Sequence, residues 1–492
     1  MKRTIQVSLY ALLILTGLFI HGCAVNPVTG KKQFSIVSES QEIQMGQGYH
    51  PSVMAQFGEY KNPQLEQLIE TKGKEMAAKS HRPNLPWNFE LVDSEVVNAF
   101  AVPGGFVYFT RGIMAHFNNE AQFMGVLGHE IGHVTAKHSV QQQSKQTLLS
   151  GLAIGGMILS PELASMGESV MQGMQLLFLK FGRDDESQSD QLGVEYSTLI
   201  GYDAKEMAGF FSTLDRLSGG SENRVPTFMS THPDPLDREA KVRQMATAAQ
   251  NELKAKGVTK FEVNRDGYLR MLEGMVYGPD PRQGFVENDN FYHPDLKFTY
   301  RLPVQWQTQN TPQVVQTVQP DGKAAIQLRL AQGNDPAAAA QQFASENKLQ
   351  VISSGNQNVN GNPAVIMVAQ TTPDPQAQQQ GQQQQIVKVK AGFISYGGNI
   401  YLLMGLTSQA DFVRYEGTFN NTIGSFRQLT DAAKLNRQPE RLRIATSRGG
   451  TLQSALSSEG IPQNRLNEFS VLNGMQLNES LPAGTLFKVL QR

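Results

Sequence analysis

The hydrophobic and polar positions of the first half of the chain predict a short sheet beside several helices. Residues 64–76 carry apolar and charged residues at helical spacing, which predicts a helix. Residues 89–92 and 100–110 are rich in Val, Phe and Tyr and predict strands. Pro103-Gly104-Gly105 interrupts the second of these stretches and predicts a turn.

Further helices are predicted downstream of these strands. A pair of asparagines can cap a helix that begins at Glu120 and is predicted to run past His138. Two more stretches with helical spacing, residues 184–200 and 204–217, are followed closely by glycine. Residues 148–159 are apolar but reach only about half the length of a membrane span, so they predict a buried or lid helix.

Strand-like spacing becomes dominant after Tyr277-Gly278-Pro279-Asp280-Pro281. The predicted strands are residues 298–302, 325–330, 364–370, 386–394 and 399–406. One helix, residues 337–347, interrupts them, and the glutamine-rich tract 376–385 predicts a flexible loop. A polar linker at about 431–441 then precedes a final module, residues 444–490.

These patterns predict an α+β chain with three folded parts. A mostly helical domain with a small sheet comes first, a β-rich α/β module follows, and a small module ends the chain. The predicted boundaries are 1–22 for a leader, then 23–276, 277–430 and 440–492 for the three parts.

Charge and composition exclude two classes of protein. The 492 residues hold 43 Lys and Arg against 44 Asp and Glu, with no basic block, so we expect no nucleic-acid partner. Hydrophobic residues make up 40% and charged residues 18%, which is too polar for a membrane protein with several spans. Composition alone leaves the function open.

The start of the chain has the pattern of a secretory signal peptide. Lys2 and Arg3 precede an apolar stretch, residues 9–20, that is short for a membrane span. Residues 1–22 are therefore predicted to be a signal peptide, and the remainder to lie outside the cytoplasm.

Cys23 directly follows this stretch and is the only cysteine, so it cannot form an internal disulfide. Ile20-His21-Gly22-Cys23 resembles the lipobox of bacterial lipoproteins, although His21 departs from the small residue usual there. Lipidation of Cys23, an uncleaved signal anchor and ordinary signal cleavage are the alternatives, and lipidation is the prediction. Because Ala24 is not the Asp typical of inner-membrane retention, the resemblance implies an outer-membrane lipoprotein facing the periplasm.

A pair of histidines on the helix that begins at Glu120 indicates a metal site. Gly128 to His133 contains the pattern HExxH, and positions four apart lie on one face of a helix. His129 and His133 can therefore offer ring nitrogens to one metal, and imidazole ligands favour zinc over harder ions. Glu130 is then placed to accept a proton from the attacking water and pass it to a leaving amine.

A catalytic zinc site needs a third protein ligand, and the helix predicted at residues 184–200 offers two. Glu186 and Asp190 are four apart and therefore share a face. One of them can bind the metal while the other accepts a hydrogen bond from a ligand histidine. The alternative is that both are solvated helix charges.

Four motifs, in order, resemble those of the HtpX-like and BepA-like zinc metallopeptidases, the group that also contains the CAAX prenyl proteases. The motifs are residues 98–105 with 110–113, residues 119–133 with His138, the RxxExxxD of Arg183, Glu186 and Asp190, and the HPxPxxR of residues 232–238. Ser189 stands where the family more often has alanine.

The resemblance implies a gluzincin-like zinc peptidase domain with one Zn²⁺ per chain. It assigns His129, His133 and Glu186 as metal ligands and Glu130 as the catalytic base. Asp190 is then the carboxylate that orients a ligand histidine from outside the ligand set.

His232 and Arg238 are the remaining candidate catalytic residues. His232 can stabilise the oxyanion, occupy the open metal position as an off switch in the manner described for BepA-like relatives, or simply pack before a turn. Arg238 can polarise the substrate or form a surface ion pair. His116 and His138 lie too far from the ligand face to be assigned by spacing alone.

Substrate binding is expected at the strand before the metal-binding helix. Peptidases of this group resemble one another in presenting an edge strand to an extended peptide, and residues 98–107 are the candidate. Such binding reads the main chain, so it predicts a preference for unfolded polypeptides. The Met-rich residues 166–174 can cover the cleft or pack in the core.

The two later modules resemble known accessory domains. Residues 290–428 resemble small PsbP-like α/β domains and contain no cluster of catalytic residue types. The last module resembles a LysM module but opens Gly449-Gly450-Thr451-Leu452, without the usual Asp. Two alternatives are open: the module binds peptidoglycan, or it is a relic that does not bind it.

Together these features predict a zinc endopeptidase, anchored by lipid at the outer membrane, that degrades misfolded or unassembled envelope polypeptides. The principal alternative is a chaperone or assembly scaffold with a gated zinc site. A peptidoglycan-bound structural lipoprotein is a third alternative.

Overall fold

The computed structural model describes residues 23–34, 37–142, 181–219, 228, 231–232, 235–372 and 386–491. The predicted signal peptide, the apolar residues 148–159, the Met-rich residues 166–174 and the glutamine-rich tract 376–385 lie outside these residues. Among the described residues, no helix is both long and apolar enough to span a membrane.

The N-terminal region is mostly helical with a small sheet, as the sequence predicts. Its elements are β1 (Cys23–Val25), β2 (Lys32–Phe34), α1 (Glu39–Phe57), α2 (Pro63–Ala77), β3 (Asn88–Val92), β4 (Ala99–Val102), β5 (Phe106–Thr110), α3 (Arg111–His116), α4 (Glu120–Thr135), α5 (Arg183–Leu199), α6 (Glu206–Gly219), α7 (Pro235–Ala255) and α8 (Arg265–Met271). β5 lies between β3 and β4, parallel to the first and antiparallel to the second.

Helix α4 is the buried centre of this region. The Asn119 side chain accepts a hydrogen bond of 2.8 Å from the Gln122 backbone N–H, which satisfies a free donor of the first turn. All 16 residues of α4 are buried. A Cβ added at Gly128 would lie 2.9 Å from the Gly193 Cα of α5, so these two helices cross at a distance that requires glycine.

The prediction that α4 runs past His138 is wrong. The helix ends at Thr135, and Lys137 has a φ of 62°, in the left-handed region. This residue turns the chain before a second helical segment starts at His138. The amide of Ala136 still bonds to the Gly132 carbonyl, which closes the last turn of α4.

A buried ion pair holds the end of α4 against α1. Arg82 donates hydrogen bonds of 2.8 Å to Glu42 and 3.0 Å to the Val134 carbonyl. Asn26, three residues after Cys23, donates to the Ala136 carbonyl at 3.2 Å. These side chains satisfy carbonyls that a helix end leaves without a partner.

The β-rich region that follows contains β6 (Phe285–Glu287), β7 (Asn290–His293), β8 (Phe298–Arg301), β9 (Gln307–Asn310), β10 (Val314–Val318), β11 (Ala324–Ala331), α9 (Pro336–Glu346), β12 (Leu349–Val359), β13 (Asn362–Thr371), β14 (Val387–Tyr396), β15 (Asn399–Ser408), α10 (Phe412–Gly424), β16 (Arg427–Gln428) and α11 (Ala432–Leu435). Its strands form a seven-stranded antiparallel sheet, in the order β12-β13-β14-β15-β11-β10-β9, and a four-stranded sheet, in the order β16-β8-β7-β6.

The large sheet is covered on both faces, which explains the continuous hydrophobic run of β15. Leu402 and Met404 pack in the cluster that contains Phe343 of α9. Leu403, which points to the other face, packs with Phe419 of α10. Strand β12 was not predicted, because its uncharged residues are mostly exposed and lack hydrophobic alternation.

The last region consists of β17 (Leu442–Thr446), α12 (Leu452–Ser458), α13 (Leu466–Leu472) and β18 (Leu486–Leu490). Its buried residues belong to the same hydrophobic cluster as those of α4 and α5. Lys488 has no exposed surface and donates hydrogen bonds of 2.7 Å to the Ala115 carbonyl and 2.9 Å to the Phe117 carbonyl. Burial lowers the pKa of Lys488 well below its usual value.

We expect Lys488→Ala to lower the free energy of unfolding by about 2–4 kcal/mol, because it opens a cavity and leaves two buried carbonyls without a donor. The measurement is urea unfolding followed by circular dichroism. The matched control, Lys256→Ala at an exposed lysine, should change stability by less than about 0.5 kcal/mol. Equal stability of the two variants would contradict the role given to the Lys488 contacts.

Candidate metal centre

Four side chains from three segments of the chain, α4 among them, come together in one cluster. His129 and His133 come from α4, Glu186 from α5, and His232 from the segment that precedes α7. One ligand atom from each lies within 4.8 Å of the others. All four residues are 2% exposed or less, so the cluster is closed off from solvent.

The Nε2 atoms of the two α4 histidines point towards each other. His129 Nε2 lies 3.0 Å from His133 Nε2. The two carboxylate oxygens of Glu186 lie 3.6 Å from His129 Nε2 and 3.5 Å from His133 Nε2, respectively. His129 Nδ1 lies 3.0 Å from Asp190, and a carboxylate only accepts, so the proton of His129 sits on Nδ1. The Nε2 lone pair of His129 therefore faces the cluster, as a metal ligand requires.

Glu130 lies beside this cluster without belonging to it. Its Oε1 is buried and accepts no hydrogen bond from the described residues. Burial raises the pKa of Glu130, against the opposing effect of His232, whose Nε2 is 3.8 Å away. Two imidazoles and a carboxylate, with a second carboxylate free beside them, are the donor set that a catalytic Zn²⁺ takes in proteins.

Arg238 of α7 neutralises the acidic side of the site. Its Nη2 and Nε donate to the two oxygens of Asp190 at 2.7 and 2.8 Å, and its Nη1 lies 2.8 Å from Glu186. Burial opposes ionisation of Glu186 and Asp190, but the Arg238 charge and the neighbouring histidines lower the pKa of both. The ion pairs of Arg238 are buried and lie away from the surface.

His232 occupies a place among the ligands. Its Nδ1 lies 2.8 Å from Glu186 and 3.3 Å from His129 Nε2, and its ring stacks on Phe228 with the centroids 4.4 Å apart. Burial alone would lower the pKa of His232, but the charge of Glu186 raises it. The arrangement offers a fourth protein donor where a catalytic metal normally keeps an open position.

Two neighbours of the cluster were not assigned from the sequence. His138 Nδ1 lies 3.0 Å from His133 Nδ1, and the ring of Phe181 packs 4.1 Å from that of His133, centroid to centroid. The break of α4 at Lys137 brings His138 back to the ligand face. His116 lies elsewhere: its Nδ1 bonds to the Gly112 carbonyl, and burial lowers its pKa to about 4.

Residues 63–246 match the model of Peptidase family M48. This stretch contains the whole cluster together with Glu130, Asp190 and Arg238. The chain contains a peptidase family M48 domain.

Relatives of this M48 domain include named proteases. The chain is 29% identical over 264 residues to the "Beta-barrel assembly-enhancing protease" of Yersinia pestis, covering 52% of each chain. It is 28% identical over 229 residues to the protein of that name from Escherichia coli (strain K12), covering 45% of this chain and 47% of the relative. The chain thus spans about half the length of these curated relatives.

A mitochondrial protein is similar over a shorter stretch. The "Mitochondrial metalloendopeptidase OMA1" of Arabidopsis thaliana is 28% identical over 190 residues, which is 37% of each chain. Among solved structures, cyanobacterial PsbP from Synechocystis sp. PCC 6803 aligns over 28% of this chain and 91% of its own, with 8% identity and a TM-score of 0.23. That TM-score does not establish a shared fold.

We expect Arg238→Met to lower the free energy of unfolding of the metal-free protein by about 3–5 kcal/mol, because it leaves two buried carboxylates without their counter-charge. Urea unfolding in a chelator at pH 7 measures this. On the same helix, Arg243 pairs with Glu239 while 53% exposed, and Arg243→Met should cost less than about 0.5 kcal/mol. A similar loss in both variants would show that the Arg238 pairs do not stabilise the site.

Proposed function

We propose that this protein is a zinc-dependent endopeptidase in which His129, His133 and Glu186 hold one Zn²⁺ and Glu130 is the catalytic base. The observation that carries the proposal is the buried convergence of these three donors beside a carboxylate with a raised pKa. When bound, zinc polarises the scissile carbonyl and acidifies the attacking water.

Glu130 performs the proton transfers in this proposal. Burial raises the pKa of its carboxylate, which favours both accepting a proton from the attacking water and returning it to the leaving amine. Asp190 keeps the His129 proton on Nδ1, which leaves Nε2 free as a ligand. Arg238 holds Asp190 and Glu186 ionised in a buried environment.

His232 is proposed to gate the site. Its Nδ1 contacts Glu186 and His129 directly, so the ring competes with water or substrate for the open metal position. Arg238 Nη1 lies 3.4 Å from the His232 carbonyl, which ties the segment to the acidic side of the site. Activity then requires this segment to move. In the alternative role, as an oxyanion donor, His232 would assist hydrolysis.

Strand β4 is the proposed binding site for the peptide. It lies at an edge of the three-stranded sheet, packs against α4 and pairs on one side with β5. An extended peptide added to its other side would bind through main-chain hydrogen bonds, with little dependence on sequence. This mode suits unfolded or misassembled envelope polypeptides, and the names of the Yersinia and Escherichia relatives support that substrate class.

We propose an outer-membrane location facing the periplasm, with residues 1–22 as the signal peptide and Cys23 as the lipidated residue. The sequence pattern around Cys23 supports this proposal, as do the relatives named beta-barrel assembly-enhancing protease. Boundaries at 276/277 and 430/440 remain predictions, as does a PsbP-like accessory domain. Retention of the full-length protein on purified sacculi tests whether the LysM-like residues 440–492 bind peptidoglycan.

Glu130→Gln is expected to keep about one zinc per chain and to lower the kcat/KM for casein by at least about 10²-fold, because an amide accepts no proton. Metal analysis and casein hydrolysis measure the two properties. Glu195→Gln, a variant of a partly exposed glutamate on α5, should match wild type. Zinc binding without hydrolysis in wild type would favour the chaperone or scaffold alternative.

His232→Ala is expected to raise casein hydrolysis by about tenfold or more, since removal of a competing ligand worth about 1.4 kcal/mol has that effect. Initial rates at saturating zinc measure the change. A loss of about 10²-fold or more would instead identify His232 as an oxyanion donor. His116→Ala, at a buried histidine outside the cluster, controls for general effects of losing a ring.

A further inference from the structure

One hydrogen-bonded chain runs outward from the ligand His133 and takes no part in the mechanism above. His133 Nδ1 lies 3.0 Å from His138 Nδ1, and His138 Nε2 lies 2.9 Å from Gln188 Oε1 on α5. His138 and His133 are 2% exposed or less. The chain therefore links a metal-facing ring to an uncharged amide through a second buried ring.

The chemistry of the atoms fixes the position of each proton. His133 Nε2 faces the cluster, so as a ligand it carries no proton and His133 Nδ1 carries one. His133 Nδ1 then donates, His138 Nδ1 accepts, and the proton of His138 lies on Nε2. The amide oxygen of Gln188 can only accept, so its contact with His138 Nε2 requires this same arrangement.

Two further neighbours agree with this direction. The Ser189 hydroxyl lies 3.3 Å from His138 Nδ1 and can donate to the same lone pair. Asp185 lies 3.7 Å from His138 Nε2, on the side where that ring carries its proton. Both neighbours belong to α5, which positions Glu186 as well.

We propose that His138 and Gln188 are positioning residues that fix the tautomer and ring orientation of His133 for metal binding. This inference rests on the proposed zinc site. Asp190, a carboxylate paired with Arg238, accepts the hydrogen bond of His129 Nδ1 and orients that ring in the same way. The two ligand histidines thus have acceptors of different charge, one anionic and one neutral.

A neutral acceptor on the His133 side follows from the charges of the site. In the described part of the chain, Glu130, Glu186 and Asp190 are buried and the guanidinium of Arg238 lies against the last two of them. When all three are ionised, the excess of two negative charges equals the charge of one divalent cation. An additional carboxylate facing His133 would be a buried charge without a counter-charge, whereas an imidazole bound to an amide orients the ring without adding one.

The test compares zinc affinity, by competition with a chelator, with the unfolding temperature of the metal-free full-length protein. His138→Leu removes the acceptor and is expected to weaken zinc binding by about 10–100-fold. His138→Asn places an amide oxygen where Nδ1 was and is expected to restore the affinity to within about threefold of wild type. A residue with only a packing role would shift the unfolding temperature without this rescue.

Gln188→Met keeps the length of the side chain, removes the terminal acceptor and should weaken zinc binding by about fivefold or more. Gln191→Met, at an exposed glutamine of the same helix, is the matched control and should bind as wild type does. Wild-type affinity in His138→Leu overturns the inference. If that variant does not fold, wild-type affinity in Gln188→Met overturns it. Absence of zinc binding in wild type refutes the proposed metal site itself.

Discussion

The close crossing of α4 and α5 is the constraint on which the site depends. Gly128 and Gly193 meet where a Cβ would lie 2.9 Å from the backbone of the other helix, and Gly132 lies almost as close to α5. Only this approach brings Glu186 within 3.6 Å of both ligand nitrogens. The same crossing places Asp190 against His129 and Gln188 against His138, so one packing contact between two helices positions Glu186, Asp190 and Gln188 together.

Burial of so many ionisable groups has an energetic cost, and the site offsets it by pairing them. Arg238 contacts both Glu186 and Asp190, and together with His232 and His129 it overcomes the tendency of burial to protonate these carboxylates. Glu130 lies outside these Arg238 pairs, and burial raises its pKa against the opposing effect of His232. Two classes of carboxylate therefore exist in one pocket: Glu186 and Asp190, whose pKa values are lowered, and Glu130, whose pKa is raised and which we propose as the catalytic base.

The residues of the site could be predicted from the sequence where they lie on one unbroken helix, and not where the helix ends between them. His129, Glu130 and His133 lie on α4, and Glu186 and Asp190 on α5, where a spacing of four gives the shared face directly. His138 lies beyond a break in the helix at Lys137, which has a positive φ. A lysine does not predict such a break as a glycine or an asparagine would, so helical spacing gives the wrong position for His138. The burial of Arg238 and the contact of Lys488 with Ala115, 373 residues away in sequence, depend on tertiary packing that no local pattern encodes.

The arrangement of the later regions follows from where the chain leaves and rejoins the hydrophobic cluster that contains α4. Gly274 and Tyr277 bond to the backbone of Leu442 and Glu440, so the segments on either side of the β-rich region pair with each other. The last region then completes the hydrophobic cluster that contains α4. The β-rich region is thus an insertion into one continuous core, joined to it by two adjacent segments. A composition shift near residue 277 marks that junction, but it cannot show that residues after 440 return to the first core.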